Sequence, residues 1–246
     1  MKYQLGANGM DGMASMDNVR SVGDTISTIR QMKVKGINIG KPVVMTYQNK
    51  EIMSGFHKTP IEGRIYLSSL NFDGDGQGDL KHHGGVDKAV CVYPFERYAY
   101  WEQELGLSLA LGAFGENVTT EGMLEDQICI GDIFQFGEAV VQVSQPRQPC
   151  YKIAARYGVK ELPAMVQETG YTGYYLRVLQ EGWVNPEDTL SLKQHHAAGI
   201  TLQYANQMMF HDKENAKGIQ TILDVEELSS SWRDTFTKRL GSLLND

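Results

Sequence analysis

The feature that most constrains this chain is a succession of short apolar runs, many rich in β-branched residues, with few helical stretches between them. Pro42-Val-Val-Met-Thr-Tyr47 and Glu51-Ile-Met-Ser54 flank Gln48-Asn-Lys50 and predict a β-hairpin with a short loop. Further runs at residues 64–67, 90–93, 127–130, 133–136, 139–144, 173–179 and 189–192 read as strands. Many short strands at regular spacing predict a closed or nearly closed β-barrel rather than a parallel α/β sheet. The expected class is therefore mainly β with helices (α+β). A helix is expected after Pro94, carrying Phe95, Tyr98, Trp101 and Leu105 as a packing stripe, and another over 163–168.

The composition changes after His195-His196, a pair that reads as a linker. Beyond it, apolar residues at helical spacing mark three helices, the last with Trp232, Phe236, Leu240 and Leu243 on one face. The expected division is an extension at 1–33 (a short helix over 17–32 or a non-native segment), a barrel at 34–195 and a three-helix domain at 196–246. The C-terminal helices, from about Ile200 onward, are expected to form a separate bundle, so that a chain ending near Ala198 would still bind its ligand.

Composition narrows the function classes. The net charge of −7 argues against general nucleic-acid binding. No run of about 18 apolar residues suggests a membrane span, and the N-terminus lacks a signal-type apolar segment. The three cysteines, Cys91, Cys129 and Cys150, then read as reduced, cytoplasmic thiols. Two of them fall in runs that look like strands. Asp73-Gly-Asp-Gly-Gln-Gly-Asp79 has the look of a calcium loop but lacks the acidic twelfth ligand and the flanking helices.

Chemistry concentrates at Gln145-Pro-Arg-Gln-Pro-Cys-Tyr-Lys152. Two prolines stiffen this turn, and Ile153, Ala154 and Tyr157 follow at helical spacing, so Cys150 sits at or near a helix start. Helix N-terminal N–H groups and the neighbouring Arg147 and Lys152 favour thiolate over thiol. A metal-holding thiolate and a buried structural cysteine both fit this pattern. Leu80-Lys-His-His-Gly-Gly-Val-Asp-Lys-Ala89 places Gly84 and Gly85 between Lys81 and Lys88. It reads either as an anion-binding turn or as a plain connection between strands. Gly112-Ala-Phe-Gly-Glu-Asn117 is a third loop, with one acid and one amide.

These three loops, in this order, resemble those of the MOSC domain family, named after the C-terminal domain of molybdenum cofactor sulfurase, and most closely its YiiM-type bacterial branch. The resemblance runs from about Gly36 to about Leu240 and includes the C-terminal three-helix segment. It implies a barrel that binds a molybdopterin-type molybdenum cofactor with Cys150 as the metal ligand. In this branch the implied activity is reduction of N-hydroxylated compounds, such as hydroxylaminopurine-type bases and hydroxylamines, to amines, a detoxification. Cys150 and Arg147 are then the expected catalytic residues. Lys81, His83, Gly84, Gly85, Lys88, Asn117 and Lys152 are expected to join them in holding the cofactor. No flavin, haem or iron–sulfur signature is visible, so an external electron-donor protein is the expected partner; a homodimer is also compatible. Two alternatives stand beside this one: a cofactor carrier or sulfur-transfer module using Cys150, and a binding barrel in which Cys150 is inert.

Overall fold

The computed structural model of the protein describes residues 32–78 and 84–245. The helix expected over 17–32 lies essentially outside the described residues, as do Lys81, His82 and His83.

Among the described residues, twelve strands and six α-helices follow in chain order. They are β1 (Met32–Ile39), β2 (Val43–Tyr47), β3 (Lys50–Ser54), β4 (Thr59–Pro60), β5 (Ile65–Leu67), β6 (Val90–Pro94), α1 (Tyr98–Leu105), β7 (Val118–Glu121), β8 (Ile133–Phe136) and β9 (Ala139–Pro146). There follow α2 (Tyr151–Tyr157), α3 (Leu162–Thr169), β10 (Tyr174–Gln180), β11 (Gly182–Val184), β12 (Thr189–Gln194), α4 (Leu202–Asn206), α5 (Ala216–Leu223) and α6 (Ser230–Leu243).

The main sheet runs β12-β8-β9-β10-β6-β7-β1, and β1 pairs back onto β12 through Met32↔Leu190 and Lys33↔Thr189, closing a seven-stranded barrel. Closure removes the open edges that a sheet of this size would otherwise present. The expected hairpin forms between β2 and β3, with Gln48 and Asn49 both at positive φ (48° and 62°), as a two-residue turn matched to strand twist requires. Period-two alternation sorts the barrel strands: Phe134, Phe136, Val141, Val143 and Leu176 enter the interior cluster. On β6, Val90 and Val92 do the same, whereas Tyr93 joins a second cluster outside the wall with Tyr98, Trp101, Phe114, Ile153 and Leu162. The pair β6–β7 is parallel, and its crossover carries α1 and the 112–117 loop over that outer face.

Three expectations are corrected. Residues 127–130 are not a strand: Cys129 makes only an isolated bridge to Thr201, and Ile130 N–H bonds the Ile200 carbonyl at 2.9 Å. The backbone hydrogen bonds of this turn are divided between its own neighbours, Leu124 and Asp132, and the start of the C-terminal helices, where the Leu202 N–H also bonds the Ile128 carbonyl. The C-terminal helices do not pack as a self-contained bundle. Leu202, Ala205, Met208, Ile219, Ile222, Trp232 and Phe236 belong to the same hydrophobic cluster as the barrel interior. Three short helices bury too little surface by themselves, and the barrel supplies the rest. The histidine pair, finally, is more than a linker. His195 Nδ1 lies 2.9 Å from Asp132 Oδ1 and His196 Nε2 lies 2.9 Å from Glu227, so the pair clasps the barrel to the segment before α6.

Candidate functional site

The site forms on the outer face of the barrel wall, along the row Ile37-Val118-Val92-Tyr174-Pro146 where β1 and β9 finish and β7 and β10 begin on either side of β6. Here β9 runs out through Pro146 into the stiff turn, and Cys150 becomes the N-cap of α2 in an extended conformation (φ −119°, ψ 153°). Its sulfur accepts the Lys152 N–H at 3.4 Å, the normal geometry of a side chain capping a helix start. Cys150 is half-buried, while Cys91 and Cys129 are buried. Burial pushes the Cys91 thiol up against the opposing pull of Arg147. Burial, followed by Asp132, pushes Cys129 up to about 11. Cys91 and Cys150 both line a cavity beside this turn, and Cys150 is the more exposed of the two.

The cavity measures about 550 Å³, part of which is open to solvent. Four cations line it (Lys58, Lys88, Arg147 and Lys152), and no carboxylate does so among the described residues. An acidic protein has thus assembled one cationic pocket. Arg147 is 8% exposed and donates to the Phe114 carbonyl at 2.6 Å, with its guanidinium over the Phe56 ring. Burial works against its charge, but Cys91, Tyr175 and Cys150 facing it more than offset this and hold its pKa above the ordinary value. Lys152, 7% exposed on the first turn of α2, has no carboxylate partner among the described residues. Both cations are held where an anionic ligand is their natural counter-charge.

The other expected site residues are distributed unevenly. Lys88 and Asn117 line the same cavity as Arg147, Cys150 and Lys152. Gly84 and Gly85 do not line it: Gly85 is exposed, with φ +96°, and precedes the short 3-10 turn Val86–Lys88. A Cβ added at Gly85 meets nothing within 4 Å, so a side chain there is opposed by its backbone conformation and not by crowding. Lys81 and His83 lie outside the described residues.

The Asn117 side chain is committed to the fold. Its carbonyl accepts the Cys91 N–H at 3.1 Å, continuing the parallel ladder by mimicry, and its amide donates to Asp75 Oδ2 at 2.9 Å. Asp75 is the centre of the acidic glycine-rich loop. Its side chain is fully buried, pairs with Lys58 and accepts the Gly40 N–H at 2.9 Å. Glu116 is also fully buried: it accepts from Tyr98 Oη, from the Gly112 and Phe114 N–H groups at 3.0 and 2.9 Å, and from Thr119 Oγ1 at 2.8 Å. Glu116 thereby shapes the loop whose Phe114 carbonyl holds Arg147.

Sequence reasoning missed Lys58, Phe56 and Tyr175, which line the cavity but come from stretches without a local motif. The C-terminal helices reach the same region. The Ser229 N–H bonds the Ser144 carbonyl at 3.0 Å, Ser231 Oγ donates to Gln145 at 2.9 Å, and the Ser230 N–H bonds Asp87 at 3.0 Å. One further group of potential metal ligands, Cys129, Asp132 and His195, occurs among the described residues. Asp132 already accepts the Cys129 and His196 N–H groups, both at 2.8 Å, besides contacting His195, which accounts for it as a structural clasp. No helix among the described residues is long and apolar enough to cross a membrane.

Comparison with known proteins accords with this arrangement. Residues 79–191 match the MOSC domain, and residues 200–242 match the YiiM-like 3-alpha helix domain. YflK of Bacillus subtilis (strain 168) is 50% identical over 211 residues, covering 86% of this chain and 96% of that protein. YiiM of Escherichia coli (strain K12) is 36% identical over 189 residues, 76% of this chain and 84% of that one. The crystal structure of YiiM from Geobacillus stearothermophilus superposes with a TM-score of 0.74 at 39% identity, covering 85% of this chain and 99% of that one. A protein of Gibberella moniliformis (strain M3125 / FGSC 7600) named "Reductase" is 35% identical over 146 residues, which are 58% of this chain and 26% of that longer protein. With a closed barrel, a cysteine-capped helix at its cationic pocket and three helices docked behind, this chain belongs to the MOSC family, in its YiiM-type branch.

Proposed function

We propose that the protein is a molybdenum-cofactor-dependent reductase that converts N-hydroxylated compounds to amines. The observation that carries this reading is a half-buried thiol at a helix N-cap, opening into a cavity with four cations and no carboxylate among its described lining. A reductase among the relatives supports the reaction class. The donor set suits a molybdopterin-type cofactor: a soft sulfur ligand for the metal, and Arg147, Lys152 and Lys88 for the phosphate. When bound, that cofactor supplies a redox-active centre able to accept an oxygen atom. In the net reaction the N–O bond of R–NHOH breaks. Two electrons from an external electron-donor protein and two protons from solvent then yield R–NH2 and water.

The residues of the chain have distinct tasks in this scheme. Cys150 anchors the metal. Arg147, fixed by the Phe114 carbonyl, offers its remaining N–H groups to the anion, and Lys152 neutralises charge beside the sulfur. The protein should be produced in a host that makes the cofactor, then assayed for molybdenum and for reduction of an N-hydroxylated aromatic base with a chemical electron donor. Cys150→Ser, which replaces the soft ligand at nearly constant volume, is expected to lose both while remaining folded. Stoichiometric molybdenum in the folded variant would refute the assignment of Cys150. Bound cofactor without turnover in the wild-type protein would point to a carrier.

A further inference from the structure

A phenolic hydroxyl buried without a partner is unfavourable by about 1–3 kcal/mol, so buried tyrosines normally donate a hydrogen bond. Four tyrosines are buried among the described residues. Tyr93 donates to the Tyr171 carbonyl at 2.9 Å, Tyr174 to the Met123 carbonyl at 3.4 Å, and Tyr98 to Glu116. Tyr175 is the exception. The residue is 7% exposed and lines the cavity, and its hydroxyl makes no hydrogen bond to any described residue; unlike the enclosed and unpaired Thr120 Oγ1 and Trp232 Nε1, this oxygen is not sealed off but opens onto the cavity.

Its position follows from the sheet. Tyr174 and Leu176 enter the barrel interior, so alternation turns Tyr175 to the outer face, where its register partner is Cys91. The ionisable groups nearest the phenol are Cys91, Arg147 and Cys150: two thiols, which are weak acceptors, and a guanidinium, which accepts nothing. Gln77, Asn117 and backbone carbonyls also line the cavity, but no described residue accepts this proton, so the hydroxyl is left facing the space that a ligand would fill.

We infer that Tyr175 donates a hydrogen bond to an oxygen atom of the ligand seated beside Cys150, as a further recognition residue of the site. Resting on the proposed function, this oxygen is identified as the one that leaves the substrate nitrogen. A phenol is protonated at neutral pH, so Tyr175 acts as a fixed donor. No net proton is transferred from it; both protons of the reaction come from solvent.

Tyr175→Phe removes the hydroxyl alone, and two measurements test its role. Calorimetric titration of the full-length, cofactor-free protein with inorganic molybdate, a tetrahedral oxyanion, needs no turnover. The variant is expected to bind about tenfold more weakly at an unchanged or raised thermal midpoint. Tyr174→Phe, whose hydroxyl is satisfied inside the barrel, is expected to lower the midpoint and leave molybdate affinity unchanged. In the cofactor-loaded protein, kcat for an N-hydroxylated aromatic base is expected to fall on the order of 100-fold in Tyr175→Phe at wild-type molybdenum content. Molybdate affinity within twofold of wild type in the folded variant, no molybdate binding by the wild-type protein, or an unchanged kcat in the loaded variant each overturns the inference. If molybdate binding weakens as expected but loaded wild-type protein reduces no N-hydroxylated compound, the proposed function fails and Tyr175 keeps its role as an oxygen donor site.

Discussion

Glu116→Gln tests how the cationic pocket is held. The Glu116 carboxylate is fully buried and receives four donors: Tyr98 Oη, Gly112 N–H and Thr119 Oγ1 on one oxygen, and Phe114 N–H on the other. Glutamine preserves the shape but can present only one acceptor oxygen. If that oxygen faces the three donors, its NH2 group meets the Phe114 N–H, a charge-assisted bond worth about 1.5–3 kcal/mol is lost, and a buried donor is left unpaired. The other three bonds fall from charge-assisted to neutral, each weakening by about half. No longer burying a charge offsets part of this. The expected net loss is about 2–5 kcal/mol, a large share of the ~5–15 kcal/mol that stabilises a typical domain. Urea denaturation of both proteins measures it through the transition midpoint at constant slope. Because Phe114 also accepts from Arg147, molybdate affinity should fall together with stability. Adding Tyr98→Phe should then cost less in the Glu116→Gln background than in wild type, since the bond it removes is already weakened. A loss below about 1 kcal/mol, or full additivity with Tyr98→Phe, would refute the view of Glu116 as the organiser of this loop.

Further outcomes follow from the same geometry. Asp75→Asn leaves the buried Lys58 ammonium without its counter-charge and should destabilise by about 3–5 kcal/mol in the same assay, whereas Asp73→Asn, at an exposed position of the same loop, should stay within about 0.5 kcal/mol. Cys129 is pushed up to about 11 from the ordinary 9.0, so through that window the unfolded chain releases a proton that the folded chain keeps. Stability should therefore decline as pH rises from 9.0 towards 11, and Cys129→Ala should flatten this decline in thermal midpoints measured against pH. A chain ending at Ala198 should fail to give a cooperative thermal transition, because it strips Leu202, Ile219, Trp232 and Phe236 from the core cluster; a soluble truncated barrel melting near the wild-type midpoint would show the helices to be dispensable.

Much of the site was readable because its signals act over a few residues. The paired prolines, the cation-flanked cysteine and the apolar spacing after it placed Cys150 at a helix start, and the N-cap geometry bears that out. The strand over 139–144 and the hairpin around Gln48 and Asn49 were equally local. Cys129 misled because Gln127-Ile-Cys-Ile130 is apolar enough for a strand, while its backbone partners, Ile200 and Thr201, lie far along the chain. The acidic loop was denied to calcium on its ligand pattern, yet nothing in its composition announced Asp75 as the buried partner of Lys58.

The sequence alone therefore determined the barrel class and the helix start at Cys150, since periodicity, turn chemistry and capping are properties of neighbours along the chain, while its three loop motifs carried the resemblance to the family. Only the tertiary structure decided which residues make the cavity. Pairing of β9, β10, β6, β7 and β1 as neighbours, from segments far apart in the chain, lets Lys58, Cys91, Asn117, Arg147 and Tyr175 meet around Cys150. It also decided that the C-terminal helices complete the core and brace Ser144 and Gln145. Contacts of that kind depend on how strands pair across long separations, and no window of sequence records that pairing.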